Sequence, residues 1–170
     1  MSLVNGLPVH VLLVHFVVVL VPLTALALAV CAIWPGAAQR MGVVLPLLAL
    51  VTLVSVPVTT QAGEWLEEHV AGDALVRRHA ELGDGLLPWA GGLFLLAVVV
   101  WWTARRTAAS GISRGTSWSA APVRIAAAVL SLAVATGAVV DVYRIGDSGA
   151  KAAWHDGFSK TASGGNGDDD

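Results

Sequence analysis

Four long apolar stretches, separated by polar segments, dominate the pattern of hydrophobic and polar positions along the chain. The first, residues 5–33, contains no charged residue and holds two histidines near its beginning. A helix of about 20 apolar residues crosses the hydrocarbon core of a bilayer, so each stretch predicts a membrane-spanning helix. We place these helices at about residues 8–34, 41–61, 85–103 and 122–143.

The segment between the second and third apolar stretches, residues 63–83, follows a different pattern. It is charged, and its apolar residues recur near helical spacing, which predicts an amphipathic helix lying at the membrane interface. The expected fold is therefore all-α: an integral membrane four-helix bundle in residues 1–154, with this interfacial helix between helices two and three. Residues 155–170 are polar and rich in glycine and aspartate, which predicts a flexible tail.

Composition supports lipid as the solvent and narrows the choice of partners. The 170 residues are 56% hydrophobic and 13% charged, with a net charge of -2, whereas soluble domains average about 25% charged residues. The chain lacks the basic field that nucleic-acid binding requires.

Ala127, Ser131 and Ala135 repeat a small residue every four positions, which predicts a helix-packing face. We expect a lipid bilayer as the environment, with another membrane protein or a second copy as further partner.

The distribution of charge predicts the orientation of the four helices. The loops after helices one and three carry Arg40 and, in the second loop, Arg105, Arg106 and Arg114, and neither loop has an acidic residue. All 12 acidic residues lie in the other segments or, for Asp141, at that end of helix four. Short arginine-bearing loops favour the cytoplasm. We therefore expect both termini on the extracytoplasmic side.

This topology gathers every histidine on the outer side of the membrane. His15 is the costly one, because it lies about 9 Å deeper than Val9 at 1.5 Å per residue, and a buried imidazole in lipid needs a partner. We expect His15 to face the bundle and to bond Asp141, Gln61 or a carbonyl of a loop. Asp141 is also a candidate partner of His10. The remaining histidines, His69, His79 and His155, are expected to be accessible to water.

The histidines also raise the question of a cofactor. His10 and His15 are separated by about 140° around a helix, so they do not form a simple chelating pair. Haem b or a metal would need a further ligand from the outer loop, and the candidate ligands are His10, His15, His69 and His79. The histidines could instead make plain structural hydrogen bonds, or His15 and Asp141 could form a proton relay. No further ionisable residue continues such a relay past the middle of the membrane, which opposes it.

Motifs at the two ends of the chain resemble a bacterial family. The opening GLPVHVLLVHF is similar to the signature G-x-P-x-H-P-x-x-V-H-F of the family named domain of unknown function 2231, and the ending RIGDSGA is similar to its closing motif. His10 and His15 match the two opening histidines. Val11 replaces a common proline, and Asp147 stands where a histidine is expected, which weakens the case for a bound cofactor. The resemblance covers about residues 6–154 and implies four membrane helices in a bacterial inner membrane, without an established activity.

These observations lead to one expected function and two alternatives. The chain has no Walker, dinucleotide-binding, G-x-S-x-G, H-E-x-x-H or C-x-x-C motif. We expect an accessory or structural membrane protein with a histidine-bearing site on its outer face, in preference to an enzyme. The first alternative is a redox component that binds haem b or a metal, and the second is a small transporter or proton-relay protein.

Overall fold

Six helices account for nearly all of the chain that the computed structural model describes, which comprises residues 3–4, 7–67, 74–109 and 120–154. Two short strands, β1 (Leu3–Val4) and β2 (Leu7–Pro8), pair antiparallel at the start. The helices are α1 (Val9–Ile33), α2 (Pro35–Met41), α3 (Val44–Glu67), α4 (Ala74–Asp84), α5 (Leu86–Ala109) and α6 (Ala120–Trp154).

The four long helices pack in a closed ring. Helix α1 contacts α3 and α6, and α5 completes the ring by contacting α3 and α6 on the other side. Large apolar side chains fill the middle, and Leu28 and Leu93 are fully buried. The outer surface is apolar as well, with Val19 67% and Leu95 65% exposed. Because lipid solvates apolar side chains, an apolar outer surface and an apolar interior are both stable in a membrane.

Each of the four long helices includes a stretch long and apolar enough to cross a bilayer, by length and composition. These stretches are His10–Ile33, Val44–Glu64, a part of Ala74–Ala108 and a part of Pro122–Ala152. The predicted all-α membrane bundle of four helices is therefore confirmed.

A pair of hydroxyl groups lies in the centre of the bundle, between α1 and α3. Thr24 Oγ1 and Thr52 Oγ1 are 2.7 Å apart, and both residues are fully buried. Thr52 Oγ1 also donates to the Leu48 carbonyl at 3.0 Å, so its single hydrogen is already used. Thr24 must therefore be the donor to Thr52. The pair is fully hydrogen-bonded where no water could replace it.

The helix ends differ from the predicted ones in four places. The predicted loop after helix one contains α2, because Pro35 occupies a first helical turn and Gly42, with φ 52°, ends it. Helix α3 continues to Glu67 instead of ending near residue 61. Helix α5 continues to Ala109 instead of ending near residue 103. Helix α6 continues to Trp154 instead of ending at Tyr143.

The predicted interfacial segment is correspondingly shorter. Of residues 63–83, the first five belong to α3 and residues 68–73 lie outside the described part. Helix α4 covers the remainder, packs chiefly against α6 and buries none of its side chains completely. Its position at the membrane interface stays a prediction. The packing places α4 beside the last turns of α6, at the end of the bundle where α1 begins.

Candidate functional site

His10, in the first turn of α1, lies against the last turns of α3. Its Nδ1 is 3.1 Å from the carbonyl oxygen of Thr59, and a carbonyl can only accept, so Nδ1 carries the hydrogen. The ring rests on Gly63, one helical turn after Thr59: a Cβ built there would lie 2.9 Å from His10 Cε1. The missing side chain at Gly63 gives the imidazole access to the Thr59 carbonyl.

His79, on α4, makes the corresponding contact with α6. Its Nδ1 is 2.9 Å from Ser148 Oγ, and that hydroxyl donates to the Ile145 carbonyl at 2.8 Å. Because the serine hydrogen is used, His79 Nδ1 must donate to Ser148. The ring rests on Gly149, where a Cβ would lie 3.0 Å from His79 Cε1. Each imidazole is therefore seated on a glycine and donates through Nδ1.

The two imidazoles are neighbours, and we refer to His10 and His79 as the histidine pair. Their ring centroids are 6.5 Å apart and their planes are inclined at 81°, an edge-to-face arrangement. Both residues are half-buried. Through this pair, α1, α3, α4 and α6 meet at one end of the bundle. His79 is thus held by protein atoms, contrary to the expectation of a merely water-exposed residue.

His15 lies outside this arrangement. It is exposed on the surface of the bundle, and its Nδ1 is 2.6 Å from the Val11 carbonyl of its own helix. The prediction that His15 faces the bundle is wrong. Because His10 faces inward, a residue about 140° further around the helix must face outward. The carbonyl one turn earlier satisfies its polar hydrogen without a partner from another helix.

The two residues expected to bond a buried histidine do not do so in the described part of the chain. The histidine Nδ1 atoms bond Thr59, Ser148 and Val11, instead of Asp141 or Gln61. Gln61 is exposed on α3. Asp141 Oδ2 is buried without a hydrogen-bond partner among the described residues, and it would lie 3.9 Å from a Cβ at Gly85.

The predicted ligand set is only partly placed. His10 and His79 come together, and His15 points away from them, whereas His69 lies outside the described residues. His155, which is not one of the predicted ligands, also lies outside them. Within the described ranges, no group of three or more His, Cys, Asp or Glu side chains could hold a metal ion. Binding of haem b and the proton relay stay predictions.

The opposite end of the bundle has a different chemistry. Arg105 Cζ lies 5.3 Å from the Trp101 ring centre, and Arg106 Cζ lies 4.9 Å from that of Trp102. Such cation–π pairs combine a positive charge with an aromatic surface. This combination is typical of residues at a membrane–water interface.

Sequence reasoning missed the residues that hold the histidine pair. Thr59 contributes only its backbone carbonyl. Every residue has such a carbonyl, so the sequence does not indicate which one accepts the hydrogen bond. Ser148 and Gly149 lie within the closing motif RIGDSGA, which lies beyond the predicted end of the last helix. The motif itself was a usable signal. In a helix, its serine can accept a hydrogen bond from an imidazole, and the adjacent glycine leaves space for the ring.

Comparison with known proteins supports the membrane assignment. Neither a curated protein nor a solved structure matches the chain. The profile of one family, described as predicted membrane protein, matches residues 6–162, which is most of the chain. The chain therefore belongs to the family of predicted membrane proteins known as DUF2231.

Proposed function

We propose that this chain is an accessory or structural protein of the bacterial inner membrane, in which the histidine pair fastens four helices together at the outer end. The observation that carries this proposal is the direction of the imidazole hydrogen bonds. His10 on α1 bonds α3, and His79 on α4 bonds α6. The ring-to-ring contact then links the two halves.

The energetics favour such a connection. Lipid offers no hydrophobic driving force between helices, so association depends on packing and on interhelical hydrogen bonds. Each such bond contributes about 0.6 kcal/mol on average and up to about 1.7 kcal/mol. The histidine pair adds ring packing on Gly63 and Gly149 to two such bonds. Helix α4 is short and has an amphipathic sequence. Its position therefore depends on the hydrogen bond and the ring contacts of His79.

The outer position of this end is part of the proposal. The opposite end carries Arg40, Arg105 and Arg106 in acid-free surroundings, which favours the cytoplasm. Trp101 and Trp102 on the same end support an interfacial belt there. With an even number of spans, both termini then lie on the extracytoplasmic side.

A comparison of two histidine variants tests the fastening role. His10→Ala should lower the free energy of unfolding in detergent by about 1–3 kcal/mol, because it removes an interhelical hydrogen bond and the packing on Gly63. Thermal unfolding followed by circular dichroism measures this change.

His15→Ala is the matched control, since His15 lies on the same helix and bonds only its own backbone. It should change the stability by less than about 0.5 kcal/mol. Equal effects of the two substitutions would refute the fastening role.

A further inference from the structure

A groove lies between α2 and α5, at the end of the bundle that carries the tryptophan–arginine contacts. Its volume is about 260 Å³, below the roughly 300–1,000 Å³ of sites that enclose a drug-sized molecule. The groove can therefore hold a small group, or one part of a larger molecule that extends beyond it.

Small residues on both helices keep this groove open. On α2, Ala38 and Gly42 lie one helical turn apart, and Ala38 is only 4% exposed. On α5, Ala104 and Ala108 lie one turn apart and line the opposite wall. With at most a methyl group at each of these four positions, the space between the two helices is not filled.

Arg105 gives the groove a positive charge. Both Arg105 and Trp101 line the groove, and Arg105 Cζ lies 5.3 Å from the Trp101 ring centre. Gln39 adds an amide to the lining. No ion pair joins Arg105 to a carboxylate within the described ranges, and residues 85–140 contain no Asp or Glu. The groove therefore favours an anion, and the planar guanidinium matches the oxygens of a phosphate.

The surroundings of the groove favour an amphiphile over a free anion. Val43 and Val44, which follow the lining residue Gly42, are 51% and 56% exposed. Exposed valines of a membrane helix offer a surface for acyl chains, whereas Trp and Arg near a helix end match the level of the lipid headgroups. Basic grooves between membrane helices are typical binding sites for anionic headgroups.

We propose that this groove binds the phosphate of an anionic phospholipid, with Arg105 as its main ligand and the Gln39 amide as a second donor. The acyl chains lie on the apolar surface near Val43 and Val44. A zwitterionic lipid has the same phosphate beside its own cation, so the site binds it less tightly. This site and the histidine pair lie at opposite ends of the bundle, and the proposal is independent of the fastening role.

Competition between two lipids tests the charge preference. The full-length chain, freed of lipid in detergent, is mixed with equal amounts of phosphatidylglycerol and phosphatidylcholine that have the same acyl chains. Native mass spectrometry measures the bound molecules, and we expect the unmodified chain to retain phosphatidylglycerol preferentially. Arg105→Gln should lower this preference about fivefold, the usual contribution of one basic residue near an anionic lipid surface.

Arg106→Gln is the matched control. It removes the same charge at the next position, and Arg106 Cζ lies 4.9 Å from the Trp102 ring centre. Because Arg106 is not among the residues that line the groove, this variant should keep the preference for phosphatidylglycerol.

A second pair of variants tests the groove itself. Ala108→Leu places a larger side chain in the groove without a change of charge, and it should lower phosphatidylglycerol binding to about the level of Arg105→Gln. Thr107→Leu enlarges the neighbouring position, which does not line the groove, and it should leave binding unchanged. Both positions are exposed, so both variants should fold, and circular dichroism verifies their helical content.

Four results would overturn the assignment. Equal retention of the two lipids by the unmodified chain would remove the charge preference. Equal losses in Arg105→Gln and Arg106→Gln would indicate a diffuse effect of charge. Full binding in Ala108→Leu would place the lipid outside the groove. Retention of inorganic phosphate by the unmodified chain, with neither lipid retained, would identify a free-anion site.

Discussion

Gly63 and Gly149 leave room for an imidazole on the surface of a helix, and this determines where the two histidines lie. A Cβ at Gly63 would lie 2.9 Å from His10 Cε1, closer than real Cβ atoms approach another heavy atom, and a Cβ at Gly149 would lie 3.0 Å from His79 Cε1, which is a tight contact. A larger residue at either position would therefore require the imidazole to move. Glycine within a helix costs about 1 kcal/mol relative to alanine. The close ring contacts give a physical reason for accepting that cost at these two positions.

Two neighbouring glycines of α6 test this reasoning. Gly149→Ala should lower the free energy of unfolding by about 1–3 kcal/mol, because His79 must move and its bond to Ser148 is lost. Gly146→Ala should raise the stability by up to about 1 kcal/mol, since a Cβ there meets no atom within 4 Å. Chemical denaturation in detergent measures both. A stabilising Gly149→Ala would contradict the seated-ring geometry.

At this scale the sequence-based prediction selected His15 as the inward-facing histidine, whereas His10 is the one that contacts another helix. The 140° between His10 and His15 was available from the spacing alone, and it required one of them to face away from the bundle. Depth along the helix favoured His15 as the inward one. Rotation is set by packing against α3, where Gly63 accepts a ring, and the sequence of α1 contains no information on that contact.

The elements themselves were predictable, and their ends were less so. Hydrophobic length placed the four spans, which depend only on transfer to lipid. Gly146, Asp147, Ser148 and Gly149 are typical turn residues, and they led to an early end for helix α6. Packing of α4 on these turns outweighs local preference, and Lys151 Nζ bonds Asp147 Oδ2 at 2.6 Å one turn apart.

The inward face of α6 allows a prediction at the level of the element. Ser131 is fully buried and Ala135 is 7% exposed, whereas Leu132 is 41% exposed. Ser131→Leu and Ala135→Leu should each destabilise the bundle by about 1–3 kcal/mol, because the added volume separates the helices. Thermal unfolding in detergent measures the loss.

Two controls distinguish size from polarity in that experiment. Leu132→Ala should change little, because its side chain is exposed on the outer surface of the bundle. Ser131→Ala should be neutral or stabilising, since Ser131 Oγ is buried without a hydrogen-bond partner among the described residues. A strong loss of stability in Ser131→Ala would mean that the hydroxyl is bonded and that polarity matters at this position.

For the whole molecule, the two ends of the bundle differ in composition. The histidine pair and the described acidic residues lie toward one end, and the tryptophan–arginine contacts lie at the other. Arginine in short loops is retained in the cytoplasm during insertion. The charge pattern thus predicts the orientation, which no packing contact within the chain determines.

Accessibility of single cysteines tests this orientation. In a Cys31→Ala background, Lys151→Cys should react with a membrane-impermeant thiol reagent in intact cells, whereas Thr107→Cys should react only after lysis. Both positions are exposed and lie at opposite ends of the bundle. Labelling is measured by the mass shift of the purified chain. The opposite labelling pattern would place the histidine pair in the cytoplasm.

The buried Thr24–Thr52 bond has a consequence for how many residues α1 can contain. Helix α1 is bonded to α3 twice, at His10 and at Thr24, with 13 residues between these two points in the chain. One inserted or deleted residue between them would turn one bonding side chain by about 100° relative to the other. Only one of the two bonds could then form. The number of residues between His10 and Thr24 must therefore stay the same, whereas the outward-facing side chains of this segment can vary in size.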